Sequence, residues 1–147
     1  MRIEEIKEKL IYGISTRTKN IDEMNPQTAK IGAIWQKFYQ TVECVEKVYG
    51  VYYNYESDAN GEFDVLAGYE TSNEKLESVK IEKGKYLVFH KTYEENNDNS
   101  TVQAIIETWG KIWEYFSNEN SQYKRAYKTD FEYYKNQNEI EIYISIQ

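Results

Sequence analysis

IWQKF, Ile34 to Phe38, is echoed further along the chain by TWGKI, Thr108 to Ile112, and laying one over the other puts Trp35 on Trp109. Around each copy apolar residues recur at helical spacing: Ile31, Ile34, Trp35, Phe38 and Val42 about the first, and Val102, Ile105, Ile106, Trp109, Ile112, Trp113 and Phe116 about the second. The spacing predicts two amphipathic helices. Asn25-Pro26 has the composition of a cap followed by a first-turn residue, so the first helix is predicted from about Pro26 to Val45. Asn99 or Ser100 is the expected cap of the second.

Outward from the helices the pattern changes to strands. Lys9 to Thr18 (KLIYGISTRT) is β-branched and alternating, with Ile3 and Ile6 leading into it, and a loop is expected from Lys19 to Met24. After the first helix, Tyr49, Val51, Tyr53 and Tyr55 alternate with Val48, Gly50, Tyr52 and Asn54; Asn60-Gly61 then signals a hairpin turn before a strand from Glu62 to Glu70. The polar stretch Thr71 to Ser78 reads as a connector. Beyond it, Val79 to Tyr93 contains a strand from Lys85 to Lys91, and a polar loop from Glu94 to Ser100 leads to the second helix. Strands from Lys128 to Tyr134 and from Glu139 to Ile146 follow, joined by the turn Lys135 to Asn138, with Ile140, Ile142, Ile144 and Ile146 all on one side. Each half thus reads strand, helix, strand, strand. Residues 1–147 are expected to form one α+β domain with pseudo-repeats at about 9–70 and 79–147. Two such units sharing a sheet bring their helices together, and a cleft at that seam is a natural ligand site.

Composition narrows the function classes. The charge, 18 − 25 = −7, opposes a phosphate-tracking surface, so direct nucleic-acid binding is not expected and cationic partners are favoured. Arg2, Glu4, Glu5, Lys7, Glu8 and Lys9 interrupt any apolar leader, and no run reaches membrane-spanning length, so the expectation is a cytoplasmic protein without membrane insertion. Cys44 is the sole cysteine, which rules out an intramolecular disulfide and leaves a cysteine zinc site without ligands. No metal or cofactor is expected. His90, the only histidine, has no nucleophile or acid around it in the pattern of a catalytic device and is assigned a structural place. Gly50, Gly68 and Gly84 lack a phosphate-loop pattern and are read as bends or bulges, and Glu4-Glu5 and Glu94-Glu95 as solvated surface. The unusual count is 15 tyrosines, with three tryptophans and five phenylalanines. Stiff rings with negative faces build pockets for flat or cationic ligands, although tyrosine also serves simply to pack strands.

The segments YGISTRT (12–18), IGAIWQKFYQ (31–40), YGVYYNYESD (49–58), GEFDVLAGYE (61–70), DFEYY (130–134) and EIEIYISI (139–146) together resemble the GyrI-like, AraC-type effector-binding superfamily, above all its stand-alone, integron-associated branch. The resemblance implies duplicated β-α-β-β units, an eight-stranded antiparallel sheet, two helices on one face, and a pocket between sheet and helices. It also implies a pocket glutamate in the DFEYY strand, Glu132, surrounded by aromatic side chains. Ser145 stands where many relatives carry proline; with the effector-like fold expected to begin within about the first ten residues, no helix-turn-helix domain is expected, and transcription control by this chain would need a separate regulatory protein partner.

A carboxylate inside an aromatic wall has a raised pKa unless a cation or donors compensate it, and a lipophilic ligand cation is such a compensation. Trp35, Trp109 and Trp113 lie on the apolar helix faces and are candidate walls; Tyr52, Tyr69, Tyr134 and Tyr143, in the matching strands, are further candidates whose facing depends on register. Glu141 shares a face with Tyr143 and is expected to be exposed. The expected function is the binding of amphipathic, cationic small molecules. The first alternative is a hydrolase of strained, cyclopropane-type electrophiles using Glu132 as a general base, and the second a protein-interaction role like that of gyrase inhibitors. Binding without turnover is preferred to either.

Overall fold

The computed structural model describes residues 1–43, 47–94 and 98–147. Cys44, the last predicted helical residue Val45 and the acidic-run residue Glu95 lie outside the described residues. The elements run β1 (Arg2–Ile6), β2 (Lys9–Lys19), α1 (Asn20–Glu23), α2 (Ile31–Thr41), β3 (Val48–Tyr53), β4 (Glu62–Tyr69), β5 (Glu77–Ile81), β6 (Gly84–Thr92), α3 (Asp98–Ser117), β7 (Asp130–Asn136) and β8 (Glu139–Ser145).

All eight strands join one antiparallel sheet in the order β1-β6-β8-β7-β3-β4-β2-β5, curled into a half-barrel. The fold is α+β, as expected, with one strand more in each half than the strand-helix-strand-strand reading supplied. Those extra strands are β1 and β5, and each crosses to the opposite half: β1 pairs with β6, β5 with β2. Both are five residues long and lie at the sheet edges, where charged side chains such as Glu5 and Lys80 suit a strand with one unpaired side.

The first helix differs from its predicted span. Asn25 does not cap it; its Oδ1 accepts from the Gln27 amide at 3.0 Å and its carbonyl from Thr28 and Ala29, closing a local turn. The expected loop before it holds the single-turn α1, and α2 starts only at Ile31. Its N-terminus is satisfied from outside the helix, because the Glu23 carboxylate accepts from the amides of Lys30 (2.9 Å) and Ile31 (3.1 Å) and from the Thr18 hydroxyl (2.6 Å). A carboxylate there fits the orphan donors and positive end of the helix.

Sheet alternation divides the core in three. On the helix side, Ile34 and Phe38 of α2 pack with Val48, Phe63, Val65 and Ala67, while Ile112 of α3 packs on Leu87, Phe89 and the isoleucine row of β8. The opposite face buries Tyr49, Val51, Leu66, Tyr86, Val88, Phe131 and Tyr143 inside the curl. Glu141 also lies there and is buried, contrary to the expectation of exposure: Arg2 donates to it at 2.7 Å and the Tyr143 hydroxyl at 3.0 Å. Among the described residues no helix is long and apolar enough to cross a membrane, and no cluster of three or more His, Cys, Asp or Glu side chains could hold a metal ion.

Candidate functional site

The middle of the sheet is the β3–β7 pair, in which Val48 faces Tyr134, Gly50 faces Glu132 and Tyr52 faces Asp130 across the ladder. Directly opposed residues share a sheet face, and residues two apart along a strand share it too, so Asp130, Glu132, Tyr134 and Tyr52 all point to the helix side. Gly50 is not at a bend; it sits mid-strand, and what matters is its missing side chain. A Cβ at that position would stand 2.6 Å from Glu132 Oε1 and 3.3 Å from the Trp35 ring. The glycine leaves the space that the carboxylate and the indole fill.

Glu132 is 3% exposed and accepts three hydrogen bonds. Oε2 receives the Trp109 Nε1–H at 2.8 Å and the Tyr52 hydroxyl at 2.9 Å; Oε1 receives the Tyr134 hydroxyl at 3.1 Å. The donors are held in turn by the other helix's rings: Trp109 of α3 meets Tyr52 edge-on at 5.4 Å, and Trp35 of α2 meets Tyr134 edge-on at 5.3 Å. Each helix therefore braces a tyrosine that comes from the other half of the chain. Burial pushes the Glu132 carboxyl above its ordinary pKa, against the pull of the three donors. Burial and the adjacent carboxylate together hold Tyr52 and Tyr134 well above the usual phenol range, so both remain donors. Among the described residues no ion pair includes Glu132.

A cavity of about 910 Å³ opens beside this carboxylate, between α2, α3 and the sheet. Its walls include Trp35, Trp109, Tyr52, Phe63 and Ile105, and its mouth carries the exposed apolar side chains of Met24, Val102, Ile106 and Trp113. Six of the eight singled-out residues border it: Glu132, Trp35, Trp109, Trp113, Tyr52 and Tyr134. Tyr69 and Tyr143 do not. Tyr69 packs edge-on against Phe38 beneath α2, and Tyr143 lies on the other sheet face, stacked on Phe131 at 4.4 Å. The register, which opposes Tyr143 to Phe131 and Glu132 to Ile142, puts Tyr143 on the side away from the helices.

Sequence reasoning missed a second acid. Asp130, fully buried, lies two residues before Glu132 on the same face and is neutralised by Arg125, whose Nη2 donates at 2.7 Å. The Tyr55 hydroxyl (2.5 Å), the Ser145 amide (2.8 Å) and the Ser145 hydroxyl (3.0 Å) also donate to it. Arg125 and Tyr55 both border the cavity. Alternation from Glu132 places Asp130 toward the helices, but nothing local to Arg125, in the connection between α3 and β7, announces its partner.

A protein-family model for integron-associated effector-binding proteins matches residues 2–146. Among solved structures, an integron cassette protein from the mobile metagenome of Vibrio cholerae, VCH_CASS2, is similar at 42% identity, with 99% of this chain and 95% of that one covered and a TM-score of 0.86. Two more distant structures share the fold: SAV2435 bound to tetraphenylphosphonium (15% identity, 99% and 93% covered, TM-score 0.66) and a putative bacterial transcription regulation protein from Staphylococcus aureus MU50 (13%, 99% and 97%, 0.71). No curated protein matches the chain. With the family model spanning nearly every residue and a solved relative at 42% identity over almost the whole of both chains, the chain belongs to the integron-associated effector-binding proteins.

Proposed function

We propose that the cavity binds a lipophilic cation, with Glu132 as its counter-charge and Trp35, Trp109, Trp113, Tyr52 and Tyr134 as its walls. One observation carries this: a buried carboxylate, satisfied by three neutral donors and, among the described residues, paired with no cation, borders an apolar cavity large enough for a drug-sized molecule. An ionised carboxylate out of water costs several kcal/mol when no positive charge accompanies it, and an entering cation removes that cost. The aromatic walls add about 0.5–2 kcal/mol per cation–π contact, and apolar area adds about 25 cal/mol per Å² buried. Neither contribution demands a particular hydrogen-bond pattern, so a range of bulky cations is accommodated. SAV2435, which shares the fold, is bound to tetraphenylphosphonium, a lipophilic cation, and this supports the reading.

Tetraphenylphosphonium and tetraphenylborate are nearly isosteric and opposite in charge. Titrating each against tryptophan fluorescence should give binding of the cation alone, weakened by Glu132→Gln. Equal affinity for both ions, indifferent to that substitution, would overturn the proposal.

A further inference from the structure

Of two carboxylates on one strand face, Glu132 borders the cavity and Asp130 does not, while Arg125, which pairs with Asp130, is the one cationic side chain among the described residues that border it. Asp130 and Glu132 are separated by one residue, roughly 7 Å along an extended strand. Both are buried, and both are ringed by tyrosine hydroxyl donors, Tyr55 at Asp130 and Tyr52 with Tyr134 at Glu132. What differs is the cation. At Asp130 the position is taken by the Arg125 guanidinium, whose side chain is 6% exposed and whose central carbon lies 4.4 Å from the Tyr127 ring centre and 6.0 Å from that of Tyr55. A planar cation paired with a carboxylate and laid on a phenol ring is the same set of contacts that a ligand cation would make beside Glu132.

The protein holds this guanidinium incompletely. Arg125 Nε is buried and has no acceptor among the described residues, whereas a guanidinium fixed as a structural element ordinarily has its buried donors bonded. Arg125 arises from the connection between α3 and β7, where its backbone bridges to Ile146, and its side chain borders the cavity with Tyr55. The arginine thus stands between the cavity and a second acid that would otherwise face it.

We propose that Arg125 is a built-in occupant of a second cation subsite, formed by Asp130, Tyr55 and Tyr127, and that it makes the cavity selective for singly charged ligands. With Arg125 in place, one of the two negative charges is cancelled and the cavity accepts one positive charge; a second charge on a ligand meets the guanidinium instead of a carboxylate. Only the assignment of single-charge selectivity rests on the reading of Glu132 as the ligand's counter-charge.

Two measurements test it. The first compares benzyltrimethylammonium with its para-bis(trimethylammonium) analogue by calorimetry. Arg125→Met should raise the affinity for the dication at least about tenfold relative to the monocation, and Arg125→Met/Asp130→Asn should abolish that gain. Equal changes for both probes, or a gain that survives in the double variant, would overturn the proposal. The second does not depend on Glu132 and reads the stability of the variant itself: low-millimolar methylguanidinium should raise the melting temperature of Arg125→Ala, but neither that of the parent nor that of Arg125→Ala/Asp130→Asn. Absence of this selective rescue would refute the subsite. Rescue that persists in a Glu132→Gln background, together with unchanged monocation binding there, would uphold the subsite while refuting the role given to Glu132.

Discussion

Glu132 and Gly50 face each other at the centre of the sheet, and each makes the other necessary. Glu132→Gln keeps the shape and removes the charge, so it should weaken binding of a permanent monocation by about ten- to a hundredfold, the usual scale for a buried charge-assisted contact. The same change should stabilise the empty protein increasingly as pH rises. The folded pKa of Glu132 is raised, so its favourable contribution is fully present below the unfolded carboxyl pKa and is lost as pH rises through the folded value. Melting temperatures of parent and variant should therefore coincide in acid and diverge with rising pH, the glutamine form melting higher; a constant offset would contradict this. Gly50→Ala puts a methyl group 2.6 Å from the carboxylate oxygen, and a cost of about 1–3 kcal/mol in stability is expected, with loss of cation binding, checked by denaturant melts and fluorescence titration.

At the scale of elements, the helices were legible where the apolar period was long and the strands where alternation ran past five residues. What escaped was set by partners distant in sequence. β1 (RIEEI) and β5 (ESVKI) are short and charged, and their pairing strands lie in the other half of the chain, so neither carries a local signal for its place. The start of α2 was misplaced because its cap is Glu23, a side chain seven residues before the first amide it satisfies, while Asn25-Pro26 spent its capping chemistry on a turn. The side chains around the cavity divide the same way. Period two along DFEYY puts Glu132 and Tyr134 on one face, and along EIEIYISI it puts Tyr143 opposite the isoleucines; Arg125, in irregular chain, has no period to read. If Glu23 is the cap, Glu23→Ala should cost about 1 kcal/mol and speed amide exchange at Lys30 and Ile31, while exchange within α3 is unchanged.

The whole molecule is a near-symmetric pair of halves whose symmetry is broken at the centre, where glycine stands opposite glutamate. Because each half lends an edge strand to the other, and because each helix's tryptophan braces a tyrosine from the other, neither half contains a complete sheet or a complete cavity wall. Thermal unfolding should accordingly be a single calorimetric transition, and fragments 1–74 and 75–147 should each lack cooperative melting; a fragment that melts cooperatively alone would show that the exchanged strands matter little. The surplus of negative charge outside the cavity adds a modest, salt-dependent attraction for approaching cations.

The uncompensated carboxylate at the seam is tested most directly by its proton. A permanent cation that pairs with Glu132 must expel any proton the carboxyl still holds. Tetraphenylphosphonium binding measured by calorimetry in two buffers of different ionisation enthalpy, across about pH 4 to 8, should show proton release that grows as pH falls toward the raised pKa and vanishes in Glu132→Gln. Heats that are identical in the two buffers at every pH, with affinity independent of pH, would contradict the account.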